Sequence, residues 1–445
     1  MPHLRLTRRL RAALTPATFG PVAIGVTLAG TVACATDSAT GTRLSRGRGA
    51  LDDQRPNAAV LAWNMAAVDA LTAHDEYANP MAAARVYALV HVAQHDAVNA
   101  TNPAFESYVF RGRDAAADPV ASAAAAAHAV LAALFPAQQA ALDATLGTSL
   151  AAVPDGEAEK RGVALGQQAA AALLALRTND GSDTPFVGNY TPGTGPGRYQ
   201  FTPPFDFAAQ PGWRAVQPFA LTRPDQFRPN PPPALESKAY VRAFAEVKSA
   251  GVAGSATRTA DQTAYAKFWY EFSELGWNRI ARTVAADRRL GLRSTARLFA
   301  LLNMAMSDSY VAGWDAKFHY DFWRPLTAIR AADTDGSAAT APDAAWAPLM
   351  VTPPVQDYPS THSALGSAAA EVLASVLGDR TRFTFTSPSA EPANSARTFA
   401  RFSQAADENA DSRVRAGIHF RFATDAGQAL GRRVGRWTVS HHLRP

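Results

Sequence analysis

Apolar residues recur at every third or fourth position over residues 57–71 and again over 81–100, the spacing of one buried face of an α-helix. The pattern continues over 119–148, with an alanine-rich run at 121–127, and over 155–177 after the turn-prone VPDGE. Between Thr178 and Pro233 the periodicity stops. That stretch holds GNYTPGTGPGRYQFTPPFDFAAQPGW and RPNPPPA, where proline removes the donors a helix needs. Trp213, Phe219 and Phe227 predict an ordered excursion there and not a free linker. Helical spacing resumes at Glu236 and recurs over 259–286 and 289–317. After a Pro-rich break at 341–359, helices are predicted over 361–378, 395–416 and 421–440. The best strand pattern is the short RFTFTS at 382–387. The chain therefore reads as all-α, helical bundles with long Pro/Gly-rich connections. An N-terminal helical region spans 56–233 and a C-terminal helical domain spans 234–445, with the chemistry expected in the second.

Composition narrows this picture. Apolar residues make up 47% and charged residues 18% of 445, enough to fill a substantial core. The first 35 residues differ from the rest. Arg5, Arg8, Arg9 and Arg11 form a basic head, an apolar run follows from Phe19 to Ala33, and TVACA closes it. This is the layout of an export signal. Two fates are open: cleavage after Ala35, or lipidation of Cys34, the one cysteine of the chain. With no second cysteine to pair with, lipidation is the favoured reading. Residues 36–55, rich in Ser, Thr, Gly and Arg, then form a tether, and the protein is expected to be exported to the periplasm or cell surface. Loss of residues 1–33 removes four arginines and no acids from a net charge of +5, so the basic balance of the whole chain does not point to nucleic acid. No later stretch offers about 18 uninterrupted apolar residues, so no membrane-spanning helix is predicted.

Three segments carry candidate chemistry. KFHYDFWRP (317–325) holds Lys317 and Arg324, seven apart and so on one face if the helix runs through both. YPSTH (358–362) follows the proline break and opens a helix, with Ser360 placed as its N-cap and free backbone N–H groups behind it. SRVRAGIHF (412–420) sets Arg413 six residues before His419, with Gly417 between them. Singly, each has an ordinary explanation: a solvated helix face, a cap, a helix ending at glycine. Jointly they offer two arginines, a lysine, hydroxyl and backbone donors, and two histidines, a set suited to a tetrahedral oxyanion. One histidine could bond the central atom and the other move a proton.

K-x6-R-P, P-S-x-H and S-R-x5-H in that order resemble the superfamily that joins type 2 phosphatidic acid phosphatases to vanadium-dependent haloperoxidases. ARVYALVHVAQHDAVNA (84–100), RTADQTAYAKFW (258–269) and FWRPLTAIRAADTDG (322–336) extend the resemblance toward the secreted bacterial haloperoxidase-like branch. The resemblance implies a vanadate cofactor, with His419 as its metal ligand. It implies that Lys317, Arg324, Ser360, Arg413 and the backbone N–H of Thr361 hold its oxygens, and that His362 is the acid–base histidine. Hydrogen peroxide and a halide would be the substrates, Lys317 polarising the bound peroxide, and hypohalous acid the product. In the phosphatase reading the same site holds phosphate, His419 attacks a phosphate ester and His362 protonates the leaving group. A third reading is an inactive, lipid-anchored oxyanion-binding protein. The haloperoxidase reading is preferred, because the chain is long, is helical in its N-terminal half and has no predicted membrane span.

Two departures bear on it. Thr361 stands where the family has glycine, and a β-branched residue would be strained if that position needed positive φ. Val355, five residues before Ser360, replaces the aromatic of chlorinating relatives, while Trp314 matches; bromide or iodide is thus expected over chloride. Outside the three segments, His91 and His95 are four apart and could pair on a metal, with core packing the commoner role. Asp425 is the candidate carboxylate behind His419.

Overall fold

The computed structural model describes residues 56–74 and 79–445; the predicted export signal, Cys34 and the predicted tether lie outside the described residues. The chain is all-α, as its periodicity predicts. Five helices form the N-terminal half: α1 (Ala58–Ala73), α2 (Pro80–Thr101), α3 (Pro119–Leu134), α4 (Gln139–Leu150) and α5 (Glu157–Leu176). After the excursion come α6 (Lys238–Ala250), α7 (Ala260–Phe268), α8 (Ser273–Asp287), α9 (Leu292–Tyr320) and the short α10 (Pro325–Arg330). The C-terminal part holds α11 (Thr361–Leu377), a hairpin of β1 (Phe383–Thr386) and β2 (Ala396–Phe399), then α12 (Phe402–Arg415) and α13 (Arg421–His441). The hairpin is antiparallel, pairing Phe383 with Phe399.

Three predicted helices are broken in ways that local chemistry explains. The 119–148 pattern divides at Pro136, which cannot continue α3. The 259–286 pattern divides where α7 stops at Trp269 before α8 begins at Ser273. Residues 396–399, expected in a helix, pair as a strand instead; Phe399 packs on Phe383 and Phe385.

α9 is the axis of the molecule. At 29 residues it is about 43 Å long. Almost every residue from Leu298 to Gly313 is buried, since α2, α11 and α13 all pack around it. Apolar residues from both sides of position 233 join one core, which includes Trp63, Leu89, Trp213, Trp277, Leu301 and Leu373. Among the described residues no helix is long and apolar enough to cross a membrane.

One close approach positions the chemistry. α13 presents Gly427 and Gly431 to α11, where a Cβ would come within 2.2 Å of Ser360 O and 2.0 Å of Ala364 O. Without side chains at these points the two backbones can touch, and the first turn of α11 is pinned beside the start of α13.

The Pro/Gly-rich excursion is ordered and packs over this region. Trp314 Nε1 donates to Ala209 O at 3.1 Å, Ala209 N donates to Pro354 O at 2.7 Å, and Trp323 N donates to Gly197 O at 3.0 Å.

Candidate active site

Four backbone features deliver the candidate residues. The first is the end of α9. Asp321 adopts the left-handed conformation (φ 53°) and stops the helix. Tyr190 donates to its carboxylate, which also ion-pairs with Arg198 at 2.9 Å. Lys317 is thus on the last turn of α9, whereas Arg324 is the N-cap of α10. They do not share a helical face, contrary to the sequence expectation. The two arrive at one place because the chain turns between them.

The second feature is the start of α11. Ser360 is its N-cap, as expected, its Oγ accepting from Ser363 N at 3.4 Å and from Ser363 Oγ at 2.9 Å. Thr361 is the first helical residue and is not among those with positive φ, so the feared strain does not arise.

The third feature is the end of α12. Gly417 N donates to Val414 O at 2.9 Å and Ile418 N to Arg413 O at 3.2 Å, the two bonds of a Schellman turn. Gly417 has φ +79°, and a Cβ there would meet Gly251 O at 2.3 Å. The turn holds Arg413 and His419 on the same side of the loop. The glycine ending and the functional motif are therefore one structure. The fourth feature is the proline break, which brings Val355 to the cavity and buries Gln356 and Asp357 behind it, beside Lys317.

These features enclose a cavity of about 130 Å³. Arg324, Thr361, His362, Arg413 and His419 reach its wall. Lys317 and Ser360 are fully buried just behind it. Lys317 Nζ donates to the carbonyls of Gln356 and Asp357. Arg324 is held by Val355 O (2.6 Å) and Ile418 O (2.7 Å), and its Nη1 lies 3.0 Å from His419 Nε2. Arg413 reaches Trp269 O at 3.4 Å and sits 5.5 Å from the Tyr270 ring centre, but its Nε has no partner. His362 Nε2 is likewise closed from solvent without a partner. The rest of the wall is apolar and aromatic: Phe186, Phe205, Phe272, Trp314 and Val355 among others.

The carboxylate behind His419 is Asp357, and not Asp425. Asp357 Oδ1 lies 2.9 Å from His419 Nδ1, slightly out of line for a hydrogen bond, and 4.0 Å from Arg324 Nη1. Asp425 is exposed on α13. Asp357 was missed because the proline break has no periodicity to place it; a lone acid among Pro, Val and Tyr, three residues before Ser360, was the available signal.

Burial dominates the electrostatics. It pushes Asp357 up to about 7 against the pull of Arg324 and Lys317. Burial, then Arg324, pushes Lys317 well below its usual value, and burial lowers Arg413 to about 10. His419 is pushed well below its usual value by burial first, then by Arg324, Lys317 and Arg413. His362 is lowered by burial and by Arg413. Both imidazoles are therefore neutral. With Arg324 donating to His419 Nε2, that nitrogen carries the lone pair and Nδ1 the proton facing Asp357.

The other histidine pair is absorbed by the core. His91 bonds Asn64 (2.7 Å) and Gln94 (2.8 Å), and His95 bonds Glu106 O (3.0 Å). Among the described residues no group of three or more His, Cys, Asp or Glu is placed to hold a metal ion.

Comparison with known proteins agrees with the resemblance read from the sequence. Residues 297–445 match the family model described as the VCPO second helical-bundle domain. The vanadium chloroperoxidase of Curvularia inaequalis is 29% identical over a stretch covering 34% of this chain and 29% of that protein, so the match spans under a third of the curated relative. A bacterial vanadium-dependent iodoperoxidase is 26% identical, covering 88% of this chain and 98% of that one at a TM-score of 0.74. A bacterial vanadium-dependent chloroperoxidase in holo form shares the fold at 19% identity and a TM-score of 0.66, covering 81% and 91%. The chain resembles the vanadium-dependent haloperoxidases and has their all-α fold.

Proposed function

We propose that this protein is a vanadate-dependent haloperoxidase that oxidises halide with hydrogen peroxide to hypohalous acid. The observation that carries the reading is the cluster of Arg324, Arg413 and Lys317 around a neutral His419 Nε2, with Asp357 as the carboxylate set among them. The donors fit a tetrahedral oxyanion: two guanidinium groups, the N–H groups at the start of α11, and buried polar atoms on Arg413 and His362 that lack partners.

In this reading His419 Nε2 would be the metal ligand, taking the metal on the lone pair to which Arg324 now donates, with Asp357 beside Nδ1 favouring that tautomer. Arg324 and Arg413 would donate to the oxygens of vanadate. Ser360 and the backbone N–H of Thr361 contribute further donors. Lys317, held by two carbonyls, supplies positive charge from behind the wall. His362 Nε2, unpartnered at the cavity, would hold or deliver a proton to an oxygen of the bound group. Vanadate bound there supplies a Lewis-acidic centre that polarises hydrogen peroxide toward a halide. The aromatic and proline-rich wall lowers the polarity around the site, which strengthens the charge interactions inside.

Val355 on the wall, where chlorinating relatives carry an aromatic, supports iodide or bromide over chloride. So does the similarity to an iodoperoxidase. The basic head and apolar run of residues 5–33 support export, with Cys34 as a lipid anchor or the signal cut after Ala35. Purified residues 36–445, loaded with orthovanadate and given peroxide with iodide or bromide, are expected to oxidise the halide in a vanadate-dependent way. Absence of that turnover together with hydrolysis of a phosphomonoester would replace this reading with the phosphatase one.

A further inference from the structure

Thr361 sits between the capping serine and the acid–base histidine, at a point where two facts about its side chain meet. Its γ-methyl lies 2.0 Å from where a Cβ on Gly313 of α9 would be. Only a glycine at 313 leaves that notch open, and the methyl fills it. A β-branched side chain has few χ1 choices, so seating the methyl also fixes the hydroxyl. That hydroxyl makes no hydrogen bond within the protein, and it is not closed from solvent. Thr361 is 7% exposed, and it lines the cavity together with Arg324, His362, Arg413 and His419. Its neighbours are engaged by contrast: Ser363 Oγ donates to Ser360 Oγ at 2.9 Å, and Ser360 Oγ also caps the helix.

We propose that Thr361 is an oxyanion-binding residue through its side chain, donating its hydroxyl to an oxygen of the anion held at His419, and that Gly313 is the notch that aims it. This rests on the oxyanion site proposed above. It turns the departure at 361 from a defect into an added donor. The motif position contributes its backbone N–H in any case; here the side chain that lines the same cavity brings a hydroxyl as well. The hydroxyl has no acceptor within the protein, and Arg324 and Arg413 line the same cavity, so an anion drawn there by the cations would offer it one.

Isothermal titration of the metal-free protein with orthovanadate, and separately with inorganic phosphate, tests this without any turnover. Thr361→Val keeps the branched shape in the Gly313 notch and removes the hydroxyl. It is expected to weaken both anions by about 10-fold or more, as loss of a hydrogen bond to a charged group does, with the melting temperature of the free protein unchanged. Thr361→Ser keeps the hydroxyl and empties the notch. It is expected to bind within about 3-fold of the unaltered protein while melting lower, about the effect of deleting one buried methyl. A purely structural threonine also makes Ser melt lower, but it leaves the Val variant at full affinity for both anions, and that result overturns the proposal while leaving the oxyanion site intact. If the unaltered protein binds neither anion, the site itself is refuted and the proposal falls with it.

Discussion

Replacing Glu274 with glutamine should change how the stability of this protein depends on pH. Glu274 lies on α8, fully buried, with Tyr310 donating to its Oε2 at 3.0 Å and its Oε1 unpartnered. Burial pushes it from an ordinary value of 4.5 up to about 8, with the nearby Glu271 adding to the rise. The bond from Tyr310 and its own backbone N–H oppose the rise without cancelling it. The folded state therefore binds a proton that the unfolded state has released between pH 4.5 and about 8. Stability must fall as pH rises through that window, by about 1.4 kcal/mol per pH unit and about 5 kcal/mol in all. Glutamine mimics the neutral acid and does not titrate. Its amide leaves a constant penalty of about 1–3 kcal/mol for an unpaired buried donor, so the slope and not the offset is the readout. Urea unfolding of both proteins at pH 5, 6.5 and 8 measures it. The variant should gain on the unaltered protein by about 2 kcal/mol from pH 5 to 6.5 and about 2 kcal/mol more by pH 8. A difference between the two proteins that stays constant across these pH values would refute the reasoning, because it would mean that Glu274 is ionised in the fold.

Two further outcomes are expected. His419→Ala should abolish tight vanadate retention, measured by metal content after gel filtration, whereas His362→Ala should retain vanadate and lose about 10²–10⁴-fold in turnover; equal loss of binding in both would show the roles are divided wrongly. Gly417→Ala should destabilise the fold by at least about 1–3 kcal/mol from backbone strain alone, with further loss from contact with Gly251 O at 2.3 Å, read as a lower melting temperature; an unchanged melting temperature would show that the loop carrying His419 is not held as described.

The sequence showed the helices and the three chemical segments because both are local signals. Apolar periodicity places α2, α9 and α13, and residue order within each short segment fixes which side chains are neighbours. What the sequence hid was set by contacts from elsewhere. Lys317 and Arg324 looked like one helical face because nothing near Asp321 in sequence marks a helix end. The end is imposed by Asp321 turning left-handed, under contacts from Tyr190 and Arg198 more than a hundred residues away in the excursion. Asp425 looked like the partner of His419 because it was the acid nearest in sequence on that side. The partner is Asp357, brought in by the proline break, where spacing carries no geometric information. Thr361 looked strained on the premise of a positive φ, but it opens the helix without one, and the space for its methyl comes from the missing Cβ of Gly313 on another helix.

The charges explain why a site of this kind would favour an anion. Asp357 is the carboxylate beside the cations, 4.0 Å from Arg324. At that distance a pair attracts by about 4 kcal/mol in a partly screened interior. Yet Asp357 is still pushed up to about 7, so its burial outweighs the attraction of Arg324 and Lys317 together. One carboxylate does not balance the site. Lys317 and Arg413, both lowered by burial, carry the remaining strain. The second nearby acid adds little negative charge, because Glu274 is raised to about 8 and stands neutral behind Tyr310 on the cavity wall. An oxyanion with two or more negative charges would relieve all three cations at once, and a neutral Glu274 would not repel it. In this view burial penalises the positive charges of the site, and binding an anion there would offset that penalty.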